Sequence, residues 1–471
     1  MVFVSLTFLF LFLPCVLGLY YIFRRHRSIQ NVLLLIASLF FYAWGEPAFL
    51  AVFVFSILFN WLLALMISQS NTAHMKLVFV VISVIVNIGL LFIFKYLNFF
   101  ADQLTRLGII RLSVGRIALP LGISFFTFQA MSYVIDVYRG NPCQKNPLSV
   151  GLYIAFFPQL VAGPIVRYNS IAAQLKDRKE SLEAFKAGTL RFVQGFVKKI
   201  FLANTMAIIA DKAFSIVGTN LTVSFAWLGA VAYALQIYFD FSAYSDMAIG
   251  LGKMFGFEFD ENFNHPYTAS SITDFWRRWH ISLSTWFRDY VYIPLGGNRT
   301  GSTFRNYVNL FAVWFLTGFW HGANWTFIAW GLLYFFALLL EKATAFGTFL
   351  KQHKVLGHFY TLLVVLLLWV FFRADGIGQA LVYIATMFGL SGAAPYSGQT
   401  WIYLKENIIY LLFALLLSSN VIHLLRAKTA PYRKLQTATQ VVGEMVLALL
   451  FVISIVYIIN GTYNPFIYFH F

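Results

Sequence analysis

Two histidines stand in settings where an imidazole could do chemistry. His321 falls inside the apolar run 311–340, flanked by Trp320 and Gly322, with Gly318 and Asn324 three residues to either side. An ionisable side chain at that depth is costly and usually faces a cavity or pathway. A histidine titrating near neutrality is also the common general base for taking a proton from a hydroxyl. On one helical face Asn324 would orient the imidazole or hold a substrate oxygen, and the glycines would leave room for an acyl chain. The plainer reading is a core histidine satisfied by a backbone carbonyl. His280 sits in an aromatic, arginine-rich stretch, where a histidine also occurs for no chemical reason.

The elements that must position these side chains follow from the spacing around them. Between residues 271 and 290 the apolar positions Phe275, Trp279, Leu283, Trp286 and Tyr290 recur every three or four residues, which predicts one continuous helix. Its opposite face would carry Arg277, His280, Ser284 and Arg288, a cationic stripe lying at the membrane interface or dipping into the protein. Asp274 suits its N-terminus, and Pro294 with Gly296 and Gly297 stops it. Arg277, Arg278 and Arg288 read either as anchors for lipid phosphate or as a mouth for the phosphates of coenzyme A or a phosphopantetheinyl carrier. Asp240, Ser242, Ser245 and Asp246 form a polar knot after the run 223–239. Two acids so close to hydrocarbon need partners, so pairing with Lys253 or a nearby arginine is expected, with a place on a substrate or donor path as the alternative. No HExxH, Walker A, GxSxG or CxxC pattern occurs, which leaves metal, nucleotide-hydrolysis and serine-nucleophile mechanisms without a motif. Only Cys15 and Cys143 are present, so neither a disulfide framework nor a thiolate metal site is expected.

The surrounding chain is that of a membrane protein. Of 471 residues 60% are hydrophobic and 11% charged, and the mean hydropathy is +0.74, far from the make-up of soluble domains. Runs such as 77–94, 223–239, 327–340, 361–372 and 441–459 approach or reach the roughly 20 residues a spanning helix needs. The expected fold is all-α, with about 11–13 transmembrane helices plus interfacial or re-entrant ones. The first run has no basic leader and no small-residue cleavage site, so it is expected to stay as the first span. The net charge of +16 comes from Lys and Arg in short loops, which speaks for positive-inside topology and against nucleic acid. Arg24–Arg27 then faces the cytoplasm, with Lys176–Lys179 and Lys198-Lys199 as further inner loops. No polar stretch is long enough for its own core, so one membrane domain over 1–471 is expected, with N-terminal helices to about 115, a core over 116–345 and C-terminal helices from 346.

Several motifs together carry a resemblance. They are Phe239-Asp240-Phe241-Ser242-Ala243-Tyr244-Ser245-Asp246, Glu261-Asn262-Phe263, Phe275-Trp276-Arg277-Arg278-Trp279-His280, Leu295-Gly296-Gly297-Asn298-Arg299 and Trp320-His321-Gly322-Ala323-Asn324. Weaker echoes include Ala162-Gly163-Pro164 and the terminal Phe466–Phe471 run. In these the chain resembles the membrane-bound O-acyltransferase family, in its alginate O-acetyltransferase branch. The resemblance implies a bacterial cytoplasmic-membrane enzyme with His321 as the catalytic histidine and His280 as the second functional one. It also implies a cytoplasmic acyl-CoA donor, acetyl-CoA in the simplest case, no bound cofactor, and a secreted or periplasmic hydrolase-like acyltransferase partner acting on a polysaccharide. A sister group, from which the Gly296-Gly297-Asn298-Arg299 loop differs, D-alanylates lipoteichoic acid from a carrier thioester. Two other classes compete: a transporter using His321, Asp240 and Asp246 as a proton or substrate path, and a scaffold for a secreted enzyme. Polar groups gathered around one arginine-rich helix, with no matching pair of broken helices, weigh against the transporter.

Overall fold

A computed structural model describes residues 1–109, 115–161, 163–216, 220–429, 431–461 and 463–465. Ala162 and the terminal Phe466–Phe471 run lie outside them. The described residues fold into helices and connecting turns, without strands. Among the described residues nine helices are long and apolar enough to cross a membrane, and Phe8–Ile22 and Ile377–Met387 are shorter apolar helices. The chain forms two compact units, Met1–Phe192 with Ser245–Asp260 and Val193–Tyr244 with Glu261–Phe471.

The first unit contains α1 (Leu13–Ile22), α2 (Arg27–Gly45), α3 (Leu50–Gln69), α4 (Ala73–Leu91), α5 (Ile123–Tyr138) and most of α6 (Leu182–Val197). Buried amides join α3 to α4: Asn87 Nδ2 donates to Asn60 Oδ1 at 2.8 Å and Asn60 Nδ2 donates back to Asn87 Oδ1 at 3.2 Å. Between apolar helices such reciprocal pairs fix register where hydrophobicity alone is indifferent. The Arg24–Arg27 and Lys176–Lys179 loops belong to one end of this unit. Arg27 is ion-paired with Glu180, and the buried Arg178 donates to Asn31 Oδ1 at 2.7 Å. The two basic clusters therefore share a face, as the positive-inside reading requires. Lys199 does not lie in a loop as expected; it is buried within a helical stretch that runs to Ser215.

The second unit is built on α7 (Val223–Met254, up to Tyr244), the short helices α8 (Ile272–Arg278) and α9 (Ile281–Phe287), the helix α10 (Thr303–His321), and the spans α11 (Trp325–Ala343) and α12 (Lys354–Arg373). After these come α13 (Ile377–Met387), α14 (Gly398–Ser418) and α15 (Arg433–Ile459). Its core is strongly aromatic, with Trp330, Trp369, Tyr233 and Tyr334 at most 1% exposed. The run 311–340 is an antiparallel hairpin of α10 and α11, not one span, because the chain breaks at Gly322. The hairpin closes at two glycines. A Cβ on Gly318 would stand 2.5 Å from the Phe327 carbonyl oxygen, and one on Gly331 would stand 2.5 Å from that of Trp314. Gly318 is thus spent on helix packing, not on room for a ligand. Gly318→Val should destabilise by about 1–3 kcal/mol or more through overpacking. Its thermal unfolding in detergent measures this, and an unchanged midpoint would contradict so close a crossing.

Candidate active site

The helix expected over 271–290 is interrupted at His280, and that interruption makes the site. Ser271 caps α8 by accepting from the Asp274 amide at 3.0 Å, with Asp274 in the first turn as expected. The Glu341 carboxylate near the end of α11 also accepts from the amides of Ile272 (2.6 Å) and Thr273 (3.0 Å) and from the Thr273 hydroxyl (2.7 Å). After Arg278 the chain leaves the helix. His280 adopts φ 44°, ψ 55°, a left-handed conformation that non-glycine residues rarely take, and α9 starts at the next residue. The segment Glu261–Asn264 splints this break: the Asn264 amide donates to the Arg278 carbonyl, and the Ile281 amide donates to that of Asn262, each at 2.9 Å.

The break turns His280 inward, so it does not belong to the exposed stripe predicted for it; only 1% of it is exposed. Its hydrogen bonds fix its tautomer. Asn262 Oδ1 accepts from the Ser282 amide (3.1 Å) and the Ser282 hydroxyl (2.9 Å), so it also accepts from His280 Nδ1 at 3.2 Å. Nδ1 therefore carries the proton and Nε2 the lone pair. Burial pushes the imidazole pKa down to about 3, so the ring is neutral at any physiological pH. Its folded pKa lies below the ordinary 6.5, so the unfolded chain binds more protons between the two values. Stability from this group is complete above about pH 6.5 and drains away as pH falls toward 3. The unfolding midpoint should accordingly drop between pH 7 and 5, and His280→Asn, which tolerates left-handed backbone, should flatten part of that drop. Identical pH slopes would rule this out.

His321 is the last residue of α10 and is 7% exposed. Aromatic rings enclose it: Trp320, Trp330 and Phe372 lie with centroids 5.0, 5.0 and 5.1 Å from the imidazole, all close to edge-to-face. Trp320 also faces His280 at 6.4 Å, so one indole touches both histidines. Behind Trp330 stand Tyr334 (5.1 Å), Trp276 (5.7 Å) and Trp369 (6.1 Å). The indole N–H groups of Trp276 and Trp330 and the Tyr334 hydroxyl are buried without a protein acceptor among the described residues. A box of aromatic faces carrying buried donors offers hydrogen bonds to oxygen atoms of a guest.

The remaining predicted residues are not gathered around this box. Asn324 does not share a helical face with His321, because α10 has already ended. It caps α11 by accepting from the Thr326 amide at 3.1 Å and donates to the Asp375 carbonyl at 3.0 Å. Arg278 pairs with Asp274 at 3.0 Å and Arg288 with Asp289 at 2.7 Å, each neutralised by a near neighbour, while Arg277 is exposed. The half-buried Ser284 meets His280 only along the backbone, its amide donating to the His280 carbonyl at 3.1 Å. Asp240 takes Lys199 as its partner at 2.6 Å, with both side chains at most 3% exposed, and not Lys253. In the other unit Asp246 pairs with Arg191 at 2.6 Å. Sequence reasoning missed Asn262, Glu341, Trp330 and Tyr334. An acid near the end of an apolar span was the available signal for Glu341.

A many-spanning helical protein with two buried histidines beside a donor-lined aromatic box has the architecture of an integral-membrane transferase. The family model described as membrane-bound O-acyltransferase matches residues 121–378, and the chain belongs to that family and is an acyltransferase. It is 42% identical over the whole of both chains to a protein of Pseudomonas putida named probable alginate O-acetylase. A namesake in Azotobacter vinelandii is 47% identical, covering 82% of this chain and 78% of its own. The peptidoglycan O-acetyltransferase of Helicobacter pylori is 38% identical over 82% and 80%. The chain is thus a multi-pass membrane O-acyltransferase.

Proposed function

We propose that this enzyme sits in the bacterial cytoplasmic membrane and moves an acetyl group from cytoplasmic acetyl-CoA toward hydroxyls of a cell-surface polysaccharide such as alginate, passing it on with a secreted hydrolase-like partner. The observation that carries the reading is the position of His321, at a helix end inside the donor-lined aromatic box. In this account the imidazole of His321 takes the proton of the acceptor hydroxyl as its oxygen attacks the thioester carbonyl. The C–S bond breaks, and the leaving thiolate recovers the proton from the imidazolium. The buried N–H and O–H groups behind His321 stabilise the charge that develops on the carbonyl oxygen. His280, neutral and held by Asn262, keeps the Trp320 wall in place and presents its Nε2 lone pair.

In this account the donor arm approaches through a cavity of the same unit. That cavity, of about 590 Å³, is lined by the polar Thr268, His358, Ser419 and Asn420 and by apolar residues that include Leu235 and Val365. One turn beyond Val365 on α12 stands Trp369, a member of the aromatic box. That mixed lining suits an arm with a polar head and a thinner, less polar tail. The test uses purified enzyme in nanodiscs with labelled acetyl-CoA and a candidate secreted partner. Label transfer with release of free thiol is expected. Transfer from a carrier-protein D-alanyl thioester in place of acetyl-CoA would overturn the assignment of donor.

A further inference from the structure

We propose that the first unit binds the phosphate headgroup of an anionic phospholipid in a pocket between the end of α1 and the start of α6. The pocket has a volume of about 570 Å³, and Arg24 and Arg25 line it. Their neighbours in the same loop network spend their charge inside the protein. Arg27 is ion-paired with Glu180, and the buried Arg178 donates to Tyr20, Asn31 and the Phe255 carbonyl. Arg24 and Arg25 are exposed and face no carboxylate in an ion pair among the described residues. Glu180 does line the pocket, but Arg27 offsets its charge and holds its carboxyl below the usual range against the opposing effect of burial. The lining is therefore net cationic, and two guanidinium forks suit the oxygens of a phosphate diester.

The other walls select a lipid over a free phosphate. Tyr21 is locked by donating to the Met254 carbonyl at 2.7 Å and packs against Phe185 at 5.8 Å, giving a fixed aromatic side. Leu182, at the pocket mouth, is 85% exposed. A leucine left that open beside two unpaired arginines fits a place where headgroup and acyl chain meet, with the leucine in the chain region and the arginines at the phosphate. Both basic clusters of this unit lie at this end, which the positive-inside rule assigns to the leaflet rich in anionic lipid.

The experiment compares thermal unfolding and native mass spectrometry of the detergent-purified full chain with added phosphatidylglycerol, phosphatidylcholine or inorganic phosphate. Phosphatidylglycerol should raise the midpoint by several degrees over phosphatidylcholine and survive as a bound adduct. The double variant Arg24→Gln/Arg25→Gln should bind it about twenty-five-fold more weakly, at about fivefold per arginine, with its midpoint in phosphatidylcholine unchanged. Leu182→Ser should weaken the lipid alone, and Lys351→Gln/Lys354→Gln, at another exposed basic position, should keep the wild-type response. An equal phosphatidylglycerol response in wild type and the arginine variant would overturn the proposal. So would inorganic phosphate reproducing the whole shift, since the pocket would then hold a free anion.

Discussion

Lys199→Ala should lower the stability of the enzyme by about 3–5 kcal/mol, the cost of leaving a buried charge without its ion-pair partner. The partner is Asp240, 2.6 Å away, with the two side chains 3% and 2% exposed. Water cannot take over the role of the ammonium at that depth, and moving the carboxylate out would require unpacking α7. Lys199 also donates to the half-buried Pro465 carbonyl, so its loss frees a second acceptor. The double change Lys199→Met/Asp240→Leu should recover much of the loss, because removing both charges of a buried pair is often nearly neutral. A double-mutant cycle in urea or by thermal unfolding reads the coupling directly. If instead the double variant is as unstable as Lys199→Ala yet Asp240→Asn alone abolishes acyl transfer, Asp240 is part of the chemistry and not a lock.

The second large effect falls on activity. His321→Ala should reduce acyl transfer by about 10²–10⁴-fold, the usual worth of a positioned general base, while leaving the unfolding midpoint within a degree or two of wild type. The ring is held by edge-to-face contacts with Trp320, Trp330 and Phe372, so its removal opens a small cavity beside rigid neighbours. Trp330→Phe keeps most of that packing and removes one buried N–H. It should cost about 10–10³-fold in turnover if that donor faces the developing oxyanion.

Much of this architecture is legible in the sequence, because hydrophobic runs and local periodicity are local signals. The apolar positions Phe275, Trp279, Leu283, Trp286 and Tyr290 are all buried, as their spacing requires. The same spacing hides the break at His280, since a left-handed residue between two short helices leaves the apolar rhythm almost intact. What holds the break is remote in the chain: the splint from Asn262 and Asn264. His321 stands out as an ionisable residue in an apolar run, but the run alone does not show that a hairpin turns immediately after it. The spacing therefore points Asn324 at the imidazole, whereas it serves as a helix cap. The acids Asp240 and Asp246 announce a need for partners without naming them. Lys199 and Arg191 are found only by three-dimensional packing, and Lys253, nearer in sequence, is passed over.

The most direct test of the central claim is acyl transfer by wild type and His321→Ala side by side, in nanodiscs, from labelled acetyl-CoA with the candidate partner present and folding checked by thermal unfolding. The account predicts transfer and thiol release by wild type, and a loss of at least a hundredfold in a variant that is equally folded and still partner-bound. Equal rates in the two proteins would contradict it and remove His321 from the chemistry.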